Sequence, residues 1–344
     1  MTTSKPLKVC LISMPFGPIY IPSIGLTLLQ SACKQRGYEC LIRYSNLLFA
    51  RIIGARDYQS ITEGFPFRIA MAGEWLFSGA LSENNWSNKA YYRDWVLSHH
   101  AERLGIDTRD RSRDELIQFI DRLHAMTPLV EKFLDAEVDA LELLQPDVVG
   151  LTSVFQQNVA SLAFAKRLRR RLPETTIVMG GANCEGAMGA QILASFPWID
   201  AIVDGEGEAA LVRLLAQRCR GRTIFTDGNL RARAEKRTDS QIITPEIVTS
   251  RGRLDRPDGD PDYSDFFEQR EATFPGVNEV PIHLPFETSR GCWWGAKHHC
   301  TFCGLNGGTM QFRSREPTSA VDELVRGKRC FPKPSKSREG FLKG

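Results

Sequence analysis

Three cysteines fall within one short loop, in the stretch RGCWWGAKHHCTFCGLNGG that runs from Arg290 to Gly308. Their spacing, C-x7-C-x2-C through Cys292, Cys300 and Cys303, offers three thiolates among glycines and two tryptophans. Four thiolates would close a cysteine-only metal site. Three leave one iron of a four-iron cubane open to a substrate or cofactor, whereas a cluster held by four cysteines typically serves electron transfer. A structural zinc ion completed by His298 or His299 is an alternative reading, since three cysteines and one histidine are a normal zinc set. Its weakness is spacing, because zinc ligands usually come as two close pairs. Cysteines packed without any metal are a third reading.

The remaining six cysteines, Cys10, Cys33, Cys40, Cys184, Cys219 and Cys330, are scattered in apolar or basic surroundings. That fits packing residues in a reduced compartment better than a disulfide framework. Across 344 residues the formal net charge is +3, so the totals argue for neither nucleic acid nor an anionic membrane surface. No apolar run reaches the ~20 residues of a membrane span, and the N-terminus lacks the marks of a signal peptide. The expected location is the cytoplasm.

The elements that must position the loop lie upstream. A buried strand, Leu7 to Met14, leads through a Pro/Gly loop into an apolar stripe at Ile24, Leu28 and Ala32, and Tyr38 to Tyr44 reads as a second strand. Residues 45–127 lack strand alternation and read as a helical insertion. Strand and helix then alternate through Asp147–Ser153, Thr176–Gly181 and Ile199–Gly205. Five apolar strands separated by helices predict a doubly wound α/β domain with a parallel sheet, over residues 1–220. Ligands in such sheets sit beyond the carboxyl ends of the strands. Those ends carry Pro15 to Gly17, Thr152 and Ser153, Gly180 to Asn183, and Gly205, Glu206, Gly207 and Glu208. The basic run Lys166 to Arg171 reads as a solvated helix face. Residues 221–280 read as a polar linker with a short strand or hairpin at Gln241 to Val248, and 281–344 as a second domain opening with a strand at Ile282–Gly291. A helix is expected to follow, with Pro317 in its first turn.

The stretch ETSRGCWWGAKHHCTFCGLNGG resembles the cluster loop of radical S-adenosylmethionine (SAM) enzymes, in a long-spaced variant. GLTSVFQQNVASLAFAKRL, GGANCEGAMG and DGEGEAALVRLL are similar to the cobalamin-binding domain of the same enzymes. Together they resemble B12-dependent radical SAM proteins of ribosomal peptide maturation, of the C-methyltransferase type. The resemblance implies that Cys292, Cys300 and Cys303 ligate a [4Fe–4S] cluster whose open iron takes SAM, yielding a 5′-deoxyadenosyl radical. It implies cobalamin held by the loops with Thr152, Ser153, Gly180, Gly181, Asn183, Gly205, Glu206, Gly207 and Glu208. A precursor peptide as substrate and an electron donor such as a flavodoxin or ferredoxin follow from it too. No D-x-H-x-x-G occurs, so a histidine lower ligand to cobalt is not expected. A catalytic residue is not assigned. The alternative functions are a non-catalytic cobalamin-binding module and a structural zinc protein.

Six barrel units at about 31 residues each would take roughly 190 residues, far more than lie between His283 and Gly344. Gly327 to Gly344 has no alternation, two prolines and a single acidic residue among its basic ones. The expectation is a chain truncated or frameshifted near Arg326 to Lys328, carrying only the start of the radical SAM domain.

Overall fold

The computed structural model describes residues 6–64, 68, 70–82, 87–100, 111–219, 230–232, 254, 259–276, 281–298 and 312–330. The chain divides into two compact units, one of Met1–Ile247 with Pro261–Pro285, the other of Val248–Asp260 with Phe286–Gly344.

The first unit is built on β1 (Lys8–Ser13), β2 (Glu39–Arg43), β3 (Val148–Thr152), β4 (Thr176–Gly180), β5 (Ala201–Val203) and β6 (Leu230–Ala232), in the order β2-β1-β3-β4-β5-β6. The first five pair in parallel, and β6 joins antiparallel to β5. The parallel strands are apolar at their centres, with charged residues such as Lys8, Glu39 and Arg43 only at their ends, as expected where helices cover both faces. Val9, Leu11, Val149, Ile177 and Ile202 are buried. Gly150 lies opposite Leu11 in the register, and a Cβ on it would come within 2.7 Å of that side chain.

Helices α1 (Ile24–Lys34), α8 (Asn158–Arg171), α9 (Gly186–Ser195) and α10 (Glu208–Cys219) alternate with the strands. The hydroxyl of Ser23 caps α1 by accepting from Leu26 N at 3.3 Å. Between β2 and β3 the chain forms α2 (Ser45–Ile53), α3 (Ala55–Thr62), α4 (Ala72–Leu81), α5 (Lys89–His100), α6 (Arg111–Ala125) and α7 (Thr127–Leu144). The insertion over 45–127 is thus helical, and its aromatic residues pack its helices against one another and against α7. Phe49 lies 4.9 Å from Phe133 between ring centroids, and Trp75 stacks on Tyr92 at 4.5 Å.

Buried Glu137 of α7 receives Arg43 of β2 through Nε at 2.6 Å and a second guanidinium N–H at 2.8 Å, and accepts from the Ser45 hydroxyl. Burial works against the Arg43 charge, but the hydrogen bond and charge of Glu137 outweigh it and hold its pKa above the ordinary arginine value. The basic run on α8 lies on a solvated face, where most of its arginines are ion-paired. Arg167 pairs with Glu131 and Asp135, Arg171 with Asp139 and Glu142, and Arg169 with Asp200, so α7 presents an acidic row at helical spacing.

Residues 221–280 contain two elements beyond what their polarity suggests. One is β6. The other is α11 (Ser264–Thr273), which returns to the open edge of β2. There Asp265 accepts from Ile42 N at 2.8 Å, while Gln269 accepts from Tyr44 N at 2.8 Å and donates to Ile42 O at 2.7 Å. Two side chains satisfy the backbone groups that a further strand would have paired. The Gln241 to Val248 stretch lies outside the described residues.

In the second unit, β7 (Ser289–Arg290) pairs antiparallel with β8 (Arg313–Ser314), and α12 (Pro317–Cys330) follows. The strand expected over Ile282–Gly291 shrinks to two residues. Pro281 and Pro285 cannot donate to a ladder, which explains the irregular backbone before β7. No described helix is long and apolar enough to cross a membrane.

Candidate functional site

The parallel strands follow the order 2-1-3-4-5, whose topological switch point lies between β1 and β3. In this chain that crevice is filled by protein. Phe16 is buried among Phe49, Tyr58 and Phe77. The Gly17 carbonyl accepts from Tyr58 Oη at 2.7 Å and Asn46 Nδ2 at 3.2 Å. Gln157 donates to Met14 O at 2.5 Å, and Gln156 bridges Ile61 O and Gly73 N. The Pro15 to Gly17 loop, which the sequence assigns to the ligand edge, is therefore walled in by the insertion.

The first turn of α8 is closed as well. Helix N-termini at this edge attract anions, but Glu74 of α4 already holds the Asn158 and Val159 amides at 3.1 and 2.7 Å. Burial pushes the Glu74 carboxyl above its usual range, although those two bonds pull the other way.

Beyond β3, β4 and β5 the edge is open. Ser153 N donates to Gly180 O at 2.8 Å and Asn183 N to Ser153 O at 3.1 Å, which sews the β3 and β4 loops together. The Asn183 side chain donates to Ser153 Oγ at 3.1 Å and Val154 O at 2.6 Å. Ser153 and Asn183 thus fix the loops, and their polar atoms are used inside the protein. Gly181 adopts φ +101°, and a Cβ there would stand 2.7 Å from Ser153 O. Its smallness serves the approach of two backbone segments.

Gly205 (φ +87°) and Gly186 (φ +55°) have left-handed backbones too, but nothing lies within 4 Å of where their Cβ would be. Asp204 ties the β5 end to α9 by accepting from Gly186 N at 3.0 Å, and pairs with Arg231 at 2.5 Å. Burial, with Asp204 nearby, raises the Glu185 pKa. Thr152 and Gly180 are half-buried at the strand ends, Glu206 is exposed and Glu208 opens α10. A Cβ on Gly207 would meet the Leu29 side chain at 3.0 Å. Three apolar side chains are exposed along this edge: Val154, Phe155 at 51% and Met188 at 56%. The result is a shelf with apolar side chains, glycine backbone open to approach and an acidic far end. It suits a flat, largely apolar ring with a polar fringe.

The sequence signs for Glu74, Gln156 and Gln157 were weak. Only the pair VF followed by QQ after β3 hints that exposed apolar residues precede two buried amides.

In the second unit, Gly291 (φ +84°) turns the chain into Cys292. Ala296 N donates to Cys292 O at 2.9 Å, and Gly295 N donates to Cys292 Sγ at 3.2 Å. A backbone N–H aimed at sulfur suits a thiolate ligand. Trp293 and Trp294 are each half-exposed; Lys297 Nζ lies 4.0 Å over the Trp293 ring, and His298 packs 4.8 Å from Trp294. Cys300, Cys303 and His299 lie outside the described residues, among which no group of three metal-ligating side chains occurs.

Of the other thiols, Cys10, Cys33, Cys40 and Cys184 are buried and Cys219 is exposed. Burial pushes the Cys10 and Cys184 thiols up to about 12, which makes them inert packing groups.

No family model matches the sequence. Among curated proteins, the anaerobic magnesium-protoporphyrin IX monomethyl ester cyclase of Cereibacter sphaeroides is 30% identical over 206 residues, 60% of this chain and 31% of that protein. The corresponding cyclase of Rubrivivax gelatinosus is 28% identical over 54% of this chain and 32% of its own length. The cobalamin-dependent radical SAM methyltransferase TokK of Streptomyces tokunonensis is 25% identical over 56% of this chain and 27% of its own length. Among solved structures, the radical S-adenosylmethionine methyltransferase TsrM of Kitasatospora setae, with tryptophan and a SAM analog bound, aligns at TM-score 0.44 and 16% identity, over 93% of this chain and 46% of that one. The chain is therefore similar to curated enzymes of which it spans about a third.

Proposed function

We propose that this chain is the cobalamin-binding sheet and cluster-bearing segment of a B12-dependent radical SAM enzyme. The observation that carries the reading is the pairing, in one chain, of an open apolar shelf beyond β3 to β5 with a C-x7-C-x2-C turn. Both groups fit the residues present. Gly186 and Gly205 leave room for a ligand edge to reach backbone, and the Gly295 amide already addresses Cys292 Sγ.

Cys292, Cys300 and Cys303 would hold a [4Fe–4S] cluster, and the loops around Ser153, Gly181 and Gly205 would hold cobalamin. When bound, the cluster supplies the electron that splits SAM, and the corrinoid carries a methyl group. The protein's own part is to bind and orient. Ser153 and Asn183 keep the β3 and β4 loops joined, and Val154, Phe155 and Met188 offer apolar surface to a macrocycle. None of the six histidines lies in the three open loops, so the chain offers no imidazole to cobalt there. The substrate class is a ribosomally made precursor peptide methylated at carbon, with a flavodoxin or ferredoxin as reductant, in the cytoplasm.

Anaerobic reconstitution of the full chain tests the reading. About four irons per chain, the content of one cubane, lost on Cys292→Ala, Cys300→Ala or Cys303→Ala, together with corrin absorbance retained after desalting in hydroxocobalamin, is expected. One zinc without iron would establish the structural zinc protein instead. Corrin retention with neither metal would leave a cobalamin module.

A further inference from the structure

Among the described residues of the second unit one ion pair is buried, and it contacts the segment that leads into Cys292. Arg315 and Glu323 are 7% and 5% exposed and their charged groups are in contact. Taking two charges out of water is expensive, and a buried pair is weak support for stability. Its placement is more informative. The Arg315 guanidinium also donates to Ser319 Oγ at 3.2 Å and Ser319 O at 3.4 Å, in the first turn of α12, and to Glu287 O at 3.4 Å. Its backbone N–H donates to Thr288 O at 2.9 Å. The Glu287 carboxylate in turn holds Arg290, with Nε at 2.8 Å. Arg290 is the last residue of β7 and leads through Gly291 into Cys292.

We propose that Arg315 is a positioning residue for the iron–sulfur cluster: braced by Glu323, it locks α12 to the Glu287–Arg290 segment and so fixes the pose of Cys292. The inference rests on the cluster reading above. A planar five-donor fork can reach the helix turn, the carboxylate and a carbonyl together, whereas a lysine ammonium is a point charge that cannot. The Glu287 to Arg290 link then carries that rigidity to the turn. Residues that orient metal ligands from behind typically change metal affinity by about 10–100-fold when altered.

The test uses the full chain, reconstituted anaerobically. Arg315→Lys should release iron to a chelator roughly tenfold faster than the parent, and should broaden the electron paramagnetic resonance signal of the reduced cluster. Corrin retention by the first unit should be unchanged, which controls for global misfolding. Ser319→Ala, a milder change that leaves the ion pair, should shift the same signal by less. Lower thermal stability with an unaltered resonance signal and release rate would mean a purely structural pair and overturn the proposal. A parent that takes up zinc or no metal would overturn the cluster reading itself, and this inference with it.

Discussion

The Glu74 carboxylate, on the helical insertion, accepts the backbone amide of Val159 at 2.7 Å and so caps a helix that begins 84 residues later in the chain. Burial raises its pKa above 4.5. A carboxyl with a raised folded-state pKa contributes stability that is fully present below the unfolded value and lost as pH rises through the folded one. Urea midpoints of the parent relative to Glu74→Gln should therefore fall as pH rises from 4 through the raised pKa. A difference that rises with pH would show that the two amides, rather than burial, dominate the site.

Glu74→Gly should leave the Asn158 and Val159 amides without their acceptor. Formate or inorganic phosphate at tens of millimolar should then raise the melting temperature of this variant more than that of the parent, because a helix N-terminus takes anions. Equal shifts in both proteins would mean that the emptied site does not open to solvent.

Glu137→Ala leaves Arg43 charged and half-sequestered, and removal of one partner from a buried pair costs about 3–5 kcal/mol. Replacing both, as Arg43→Met with Glu137→Met, should cost far less. Denaturant midpoints of the singles and the double complete the cycle. An equally damaging double would indicate that packing around β2, not the stranded charge, sets the loss.

Gly181 and Gly205 separate fold from ligand. Gly181→Ala combines left-handed backbone with a clash on Ser153 O, a strain of about 1–3 kcal/mol, and should lower both stability and corrin retention. Gly205→Val meets only the backbone cost of roughly 1–2 kcal/mol, yet projects into open space on the shelf. It should lower retention more than stability. Full retention by Gly205→Val would move the ligand away from the β5 end.

Much of this was legible in the sequence for a physical reason. The five parallel strands are mostly apolar, so each stands out as a short run, and Gly181 and Gly205 mark ends where backbone bends left-handed. The plug at the switch point was not legible, because Asn46 and Tyr58 reach the loop after β1, and Glu74 the first turn of α8, only once the insertion folds back. Helix α11 escaped for another reason: it is held through Asp265 and Gln269, polar residues that composition assigns to solvent. The alternation of Ile282, Leu284 and Phe286 suggested a strand that its prolines prevent.

The return of α11 also sets a clock. Ile42 and Asp265 are separated by 223 positions, and a ribosome adds about 5–20 residues per second. The outer edge of β2 thus leaves the ribosome roughly ten to forty-five seconds before the side chains that cover it have been made. Throughout that interval the nascent chain presents an unpaired strand to its neighbours on the polysome, so slower initiation, which spaces the ribosomes, should raise the yield of soluble protein more than slower elongation, which lengthens the wait.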